Sequence, residues 1–194
     1  MSAPWRLDDA FSVNQVLTVW RPRLRAGELP DRSAVEEALC RVGRCSGPAL
    51  LAALLRIRAL TPATAALAGP TWSMAEFPDA ALPHKTWRSI FAMAGFCVDG
   101  RRAERPQQPL VLYRGATAAR RRMWSWTDDR EVAARYAAGH YGRKPGSVWI
   151  AVVDPARLLA RVAERQEAEW IVDAARLQIR ALDAHTAPLD EASS

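Results

Sequence analysis

A stretch rich in Arg, Gln and Pro, residues 101–109, divides this 194-residue chain into two parts with different hydrophobic periodicity. Before it, apolar residues recur at helical spacing; after it, short runs of strand-forming residues alternate with turns. We therefore predict an α+β protein with a helical region over 1–100, an exposed connector over 101–109, a strand-rich core over 110–185 and a frayed tail over 186–194.

Local signals mark three helices in the first part. Ser33 and Glu36 have the spacing of a capping box, and the apolar pattern that follows them stops at Gly43. Proline is favoured in the first turn of a helix, and Pro48 is followed by a wide apolar stripe. A third apolar helix is ended by Gly95.

The second part alternates short strands with a single amphipathic helix, predicted over 128–138. Strands are predicted over 110–113, 123–127, 147–153, 170–172 and 177–179. The gap at 173–176 has the length of a hairpin connection, so the last two strands are expected to pair with each other. We expect the strands to form two small packed sheets around a central cleft, with the helices laid against one side.

The net charge of +6 comes almost wholly from arginine, since only Lys85 and Lys144 among the 27 basic residues are lysines. This usage, with abundant Ala, is typical of a GC-rich genome, so the charge alone is weak evidence for a nucleic-acid partner. Residues 101–122 are different, because their seven arginines are accompanied by one acid, Glu104. We expect an anion to bind near this segment.

Three cysteines and three histidines, scattered along the chain, are too few for a disulfide framework or a zinc site. The N-terminal residues lack the charged and then apolar profile of a signal peptide, and no uninterrupted apolar run has the length of a membrane span. These features predict a reducing, cytoplasmic environment in the producing or the target cell, with neither a metal nor a membrane.

The first motif that carries chemistry is Arg114-Gly115, at the end of the predicted strand 110–113. A guanidinium there offers a rigid fork for an anion, and a glycine lets a ligand approach the backbone. The alternative is that Arg114 is the partner of a structural ion pair.

The second motif is Ser125-Trp126-Thr127, directly before the predicted helix. In a strand, Ser125 and Thr127 share one face, and Trp126 lies on the other. Either Thr127 or Asp128 is expected to cap the helix, whose N-terminus adds positive potential. The alternative is an ordinary strand end followed by a cap.

The third motif is Glu167-Ala168-Glu169, which leads into the apolar strand 170–172. The two carboxylates share one face of an extended segment, where like charges repel each other. Such a pair is retained most readily for a function. The alternative is a solvated start to an edge strand.

Taken in this order, the three motifs resemble the mono-ADP-ribosyltransferase family of the Arg-Ser-Glu type, which includes bacterial toxins and effectors. The resemblance covers roughly residues 110–182 and rests on Arg114, Ser125 and the pair Glu167 and Glu169. The middle motif departs from the Ser-Thr-Ser of the family, so only its first serine matches cleanly. The resemblance implies a split β-sandwich that binds NAD as substrate, transfers ADP-ribose and releases nicotinamide.

The resemblance also implies roles for individual residues. Glu169 stabilises the positive charge that develops on the ribose, Ser125 orients Glu169, and Glu167 orients or deprotonates the acceptor. The residues that the resemblance implies for NAD binding are Arg114, Gly115, Ser125, Trp126, Thr127 and Tyr136. Tyr113, Trp126 and Tyr136 are candidates for stacking on nicotinamide, although packing in the core is the more common role of such aromatics.

The acceptor implied by this reading is a macromolecule, a protein rather than a nucleic acid, with arginine favoured by the acid at Glu167. The helical region 1–100 has no assigned role beyond a surface for a neutralising or targeting partner. Two alternatives stay open: an NAD glycohydrolase on the same fold, and a non-enzymatic basic adaptor that binds nucleic acid through residues 101–122. The acids in the second and third motifs argue against the adaptor.

Overall fold

The computed structural model confirms a mixed α+β architecture, with helices first and a sheet after them. It describes residues 5–7, 9–140, 144–164 and 168–182. The helices are α1 (Val13–Arg25), α2 (Arg32–Arg56), α3 (Pro62–Ala65), α4 (Ala68–Met74), α5 (Pro78–Ala81), α6 (His84–Ala94) and α7 (Arg130–Ala137). Glu167 lies outside the described residues.

The first two predicted helices are joined into one element, α2, with a kink where the sequence predicts a stop. Gly43 has φ +73°, a left-handed conformation that glycine adopts without a steric penalty. The expected cap at Ser33 is wrong: the carboxylate of Asp31 accepts from the amide of Ala34 at 2.8 Å. Asp31, two residues before Ser33, caps the helix by accepting a hydrogen bond from a first-turn amide that has no partner within the helix. Ser33 already lies inside the helix.

Helix α2 is long and apolar enough, by length and mean hydropathy alone, to cross a membrane. It also fits a role inside the protein, because Leu50, Leu51 and Leu54 on its second half are fully buried in the core. This is the pattern of a core helix and is compatible with a soluble protein. A cytoplasmic location stays a prediction.

Eight strands of the described chain form one hydrogen-bonded sheet. They are β1 (Cys97–Val98), β2 (Arg101–Arg102), β3 (Leu110–Ala116), β4 (Ser125–Thr127), β5 (Ser147–Val153), β6 (Leu158–Val162), β7 (Glu169–Val172) and β8 (Arg180–Ala181). Their order across the sheet is β2-β1-β6-β7-β4-β3-β5-β8. The sheet thus begins before residue 110, with a short hairpin of β1 and β2.

One joint in this sheet is shorter than every other joint of the described strands. Strands β3 and β5 are paired from Leu110 to Ala116, whereas β3 and β4 pair only at Tyr113 and Thr127. A group β2-β1-β6-β7-β4 therefore adjoins a group β3-β5-β8 through one backbone pair. The expected two separate sheets are therefore one sheet, open at this joint.

The expected hairpin of 170–172 with 177–179 is wrong. Strand β7 lies between β4 and β6, and the chain then crosses to the opposite edge, where β8 pairs with β5. Residues 177–179 are not in a strand. Arginine side chains hold the crossing segment: Arg122 donates to the carbonyls of Ala174 and Leu177, and Arg157 donates to that of Ala175.

Helices and strands share one hydrophobic core. At its centre Trp72 of α4 stacks on Trp124, which precedes β4, with ring centroids 5.5 Å apart and planes 16° from parallel. Trp72 also meets Trp87 of α6 edge to face at 5.1 Å. All three tryptophans are fully buried. The helical region is therefore packed directly behind β4 and is not a separate appendage.

A bidentate ion pair ties α6 to the segment after β7. Arg88 donates from Nε and Nη2 to the two carboxylate oxygens of Asp173 at 2.7 and 2.8 Å. The hydrogen bond from Arg88 holds the pKa of Asp173 below its ordinary value, and a further bond from the amide of Ala175 acts in the same direction. The same pair raises the pKa of Arg88.

This pair gives a pH-dependent contribution to stability. Because the pKa of Asp173 is lower in the folded state, its contribution is complete above the unfolded value of about 4 and is lost as the pH falls through the folded value. We expect Arg88→Ala to cost about 1–2 kcal/mol at pH 7, since the pair is partly exposed. Urea unfolding at pH 7 and at pH 3 measures this, and a loss of equal size at both would contradict the assignment.

Candidate functional site

A cleft of about 570 Å³ opens where β3 and β4 separate. Its first wall is built from the ends of β3, β4 and β7 together with α7. Its second wall is the segment 72–80, which includes the end of α4 and the start of α5. The helical region thus supplies half of the site.

Arg114 lies on β3 beside the joint and is 9% exposed. Its Nε donates to the carbonyl of Arg120 at 3.1 Å, and its Nη1 donates to the carbonyl of Ser125 on β4. The bond to Ser125 links β3 to β4, which share only one backbone pair, and the bond to Arg120 fixes the turn that follows β3. Arg114 lines the cleft, and its guanidinium also holds together the elements that border the opening.

Gly115 follows Arg114 and lies directly under α7. A Cβ atom at this position would overlap the carbonyl oxygen of Ala133 and come within 2.5 Å of the amide nitrogen of Ala137. Tyr136 of the same helix would be 2.7 Å away through its own Cβ. The close approach of α7 therefore explains why this position requires a glycine. Gly115 also lines the cleft.

Ser125 and Thr127 both line the cleft, but with different neighbours. The hydroxyl of Ser125 accepts from Nε1 of Trp72 at 3.2 Å. The hydroxyl of Thr127 accepts from the amide of Asp129 at 3.1 Å. The helix cap itself is Asp129, whose carboxylate accepts from two amides of α7, so the predicted cap at Thr127 or Asp128 is displaced by one or two residues.

Glu169 is the first residue of β7, half-buried, and lines the cleft. Strand register places it opposite Thr127, which in turn lies opposite Tyr113. Opposed residues of antiparallel strands point to the same face, so these three side chains form a row across the joint. Ser125 faces Ile171 instead and is a diagonal neighbour of Glu169.

The residue before Glu169 has an unusual backbone conformation. Ala168 has φ +41°, a left-handed value that a residue with a Cβ adopts only at a steric cost. The extended conformation predicted for this segment therefore does not hold at Ala168.

The aromatic candidates divide into two kinds. Trp126 is 2% exposed, and its Nε1 donates to the carbonyl of Met123 at 2.9 Å, so its ring serves mainly in packing. Tyr113 and Tyr136 are partly exposed and line the cleft. Of the aromatic residues proposed from the sequence, these two have ring surface available to a ligand.

The second wall was missed by sequence reasoning. Besides Trp72, it includes Asp79, whose Oδ1 accepts from the amide of Trp124 at 3.4 Å and is 3.1 Å from Nε2 of His84. It also includes Glu76, whose carboxylate pairs with Arg44 at 3.6 Å. None of these residues belongs to a recognisable motif, and only contact through the folded core brings them to the cleft.

Within the described residues, no group of three or more His, Cys, Asp and Glu side chains is arranged to hold a metal ion. Cys40 and Cys45 are exposed on α2, and Cys97 is buried in β1. Burial raises the pKa of the Cys97 thiol, which keeps it in the unreactive protonated form.

Comparisons with protein-family models, with curated proteins and with solved structures gave no match.

Proposed function

We propose that this protein binds NAD in the cleft at the joint of β3 and β4 and transfers ADP-ribose to a macromolecular acceptor, with release of nicotinamide. One observation carries the proposal: three motifs from separate parts of the sequence, represented by Arg114, Ser125 and Glu169, line a single cleft. Chance placement of three short motifs would scatter them over the surface.

The shape of the sheet supports an ADP-ribosyltransferase-like fold. A sheet held at its middle by the single pair of Tyr113 and Thr127 is close to a split sandwich, with the opening between its halves available to a ligand. The cleft volume of about 570 Å³ lies in the usual range for small-molecule sites. Its lining combines aromatic rings with many charged and hydroxyl side chains, a combination that suits a charged dinucleotide.

Glu169 is the residue we assign to the chemical step. As nicotinamide leaves, positive charge develops at the ribose carbon, and an ionised carboxylate held beside it stabilises that charge. Thr127, opposite Glu169, and Ser125, on its diagonal, fix the local backbone through their hydrogen bonds to Asp129 and Trp72. A carboxylate on a rigid strand needs little reorganisation during the reaction.

The remaining expectations are part of this proposal. The acceptor is a protein, with arginine as the favoured side chain, and the environment is cytoplasmic. The helical region has a role the motifs do not suggest: it forms the second wall of the cleft through residues 72–80. Its outer surface is left for a neutralising or targeting partner.

The test is incubation of the full chain with NAD labelled in the adenosine part, in the presence of a cell lysate. The transferase predicts label on macromolecules and free nicotinamide. Free ADP-ribose without labelled macromolecules would favour the glycohydrolase. If neither product forms, both the transferase and the glycohydrolase are excluded. Retention of labelled nucleic acid in a filter assay would then favour the adaptor.

Glu167 distinguishes transfer from hydrolysis. It precedes Glu169 by two residues, and the proposal assigns Glu167 a role at the acceptor and Glu169 a role at the ribose. We expect Glu167→Gln to abolish label transfer while nicotinamide release into water stays within about twofold of wild type, because the ribose-side carboxylate is unchanged. Equal loss of both activities would place Glu167 on the ribose side.

A further inference from the structure

The arginines closest to the cleft in sequence are mostly engaged with the protein itself. Arg114 donates to the carbonyls of Arg120 and Ser125. Arg121 donates to the carbonyl of Ala118 at 2.6 Å, and its guanidinium lies 5.6 Å from the ring centre of Trp149. Arg122 is bound to the crossing segment after β7. These three side chains position the backbone.

Arg120 differs from them. It ends the short 3₁₀ turn Ala118–Arg120, is exposed and lines the cleft. Within the part of the chain that the structure describes, its guanidinium makes no hydrogen bond or ion pair. Its main chain is fixed, because its carbonyl accepts from Arg114 and its amide donates to the carbonyl of Thr117 at 2.9 Å.

The other charged side chains that line the cleft have polar partners within the protein. Arg44 pairs with Glu76, Asp79 shares a hydrogen bond with His84, and Arg114 donates to two carbonyls. Among the described residues that line the cleft, Arg120 and Glu169 are the charged side chains that make no hydrogen bond or ion pair. A ligand that carries both a negative and a positive group complements this arrangement.

We propose that Arg120 binds the pyrophosphate of the dinucleotide, and that Arg114 acts as the positioning residue that holds Arg120 at the cleft. This inference rests on the proposed function. NAD has the required charges, since its pyrophosphate is anionic and its nicotinamide ring is cationic. A guanidinium matches the geometry of phosphate oxygens with two parallel hydrogen bonds. Glu169 is then left to the cationic end of the ligand.

The experiment compares two ligands that separate these ends: ADP-ribose, which has the pyrophosphate and lacks nicotinamide, and nicotinamide riboside, which has no phosphate. Binding of each to the full chain is measured by titration calorimetry. We expect Arg120→Ala to weaken ADP-ribose binding roughly tenfold or more, as loss of a charge-assisted contact does, and to leave nicotinamide riboside within about twofold. Arg120→Lys, which keeps the charge but not the fork, should recover part of the loss.

The matched control is Arg56→Ala, which removes the same charge from the exposed end of α2, outside the cleft. It should leave both affinities within about twofold of wild type. An equal loss of ADP-ribose binding in Arg56→Ala would show that the effect comes from net charge and would overturn the inference. Wild-type affinity in Arg120→Ala, or an equal loss of both ligands, would overturn it as well.

Failure of the proposed function can be distinguished from failure of the role of Arg120. If the wild-type chain binds neither ligand and releases no nicotinamide from NAD, the function is overturned before any variant is compared. If it releases nicotinamide and Arg120→Ala has an unchanged Michaelis constant for NAD, the function stands and the role of Arg120 falls. For Arg114, the positioning role predicts that Arg114→Lys raises that constant more than it lowers the turnover number.

Discussion

Gly115→Ala is expected to destabilise the folded protein by more than about 3 kcal/mol, because the added methyl group meets backbone on α7 that cannot turn away. The atoms it would strike are the Ala133 carbonyl and the Ala137 amide, both inside a helix. Relief requires a shift of the whole helix from β3, with loss of the packing between them. The midpoint and slope of urea unfolding, followed by circular dichroism, measure the loss.

Gly47→Ala is the matched control for this substitution. Gly47 lies in α2, and a Cβ there would meet only side-chain atoms, Thr71 Cγ2 at 3.2 Å and Leu39 Cδ2 at 3.3 Å. Side chains can adjust by a few tenths of an ångström, and alanine has the higher helix propensity, so a change of less than about 1 kcal/mol is expected. Equal effects at the two positions would mean that α7 does not lie on β3 as described.

Glu169→Gln is expected to lower the rate of nicotinamide release by on the order of a hundredfold or more, the usual cost of losing a preorganised electrostatic group. The substitution keeps the shape of the side chain at the start of β7 and removes only its charge. The folded state should keep its thermal midpoint, because within the described residues no hydrogen bond or ion pair of the Glu169 side chain is present to be lost. Steady-state release of nicotinamide from NAD is the measurement.

Glu104→Gln serves as the control for this loss of charge, since Glu104 is exposed in the stretch between β2 and β3 and does not line the cleft. Its rate should equal that of the wild type. A Glu169→Gln variant with full activity would remove the assignment of the chemical step, and one that unfolds would show that the carboxylate has a structural role instead.

Some of the elements that depend on local sequence were predicted, whereas the helices α1, α3, α4 and α5 were not. Apolar spacing located α6 and its end at Gly95, and short runs of strand-forming residues located β3, β5 and β7. The pairing of strands was predicted poorly, because partners are chosen by contacts between distant segments. The segment 173–176 is short enough for a hairpin, yet Arg122 and Arg157 hold its carbonyls and direct the chain to the far edge.

The same division applies to the site. The three motifs could be recognised because each lies on a short continuous segment. The strand register could not be recognised. Whether Ser125 or Thr127 faces Glu169 depends on a two-residue offset between β4 and β7, and that offset has no local signal. Trp72 and Asp79 were missed for a related reason, since they reach the cleft through core packing of α4 and α5 and not through any motif.

The stacked pair of Trp72 and Trp124 has an optical consequence. Two indole rings with centroids 5.5 Å apart are close enough for their electronic transitions to couple, which produces a paired positive and negative band in circular dichroism. One ring belongs to α4 and the other immediately precedes β4, so this coupling depends on the contact between the two walls of the cleft. The pairs Trp72–Trp87 and Trp5–Trp20, at 5.1 and 5.3 Å, couple in the same way. The part of the signal that Trp124→Phe removes therefore reports on the contact between the walls, in solution, without an attached dye and during a titration with nucleotide.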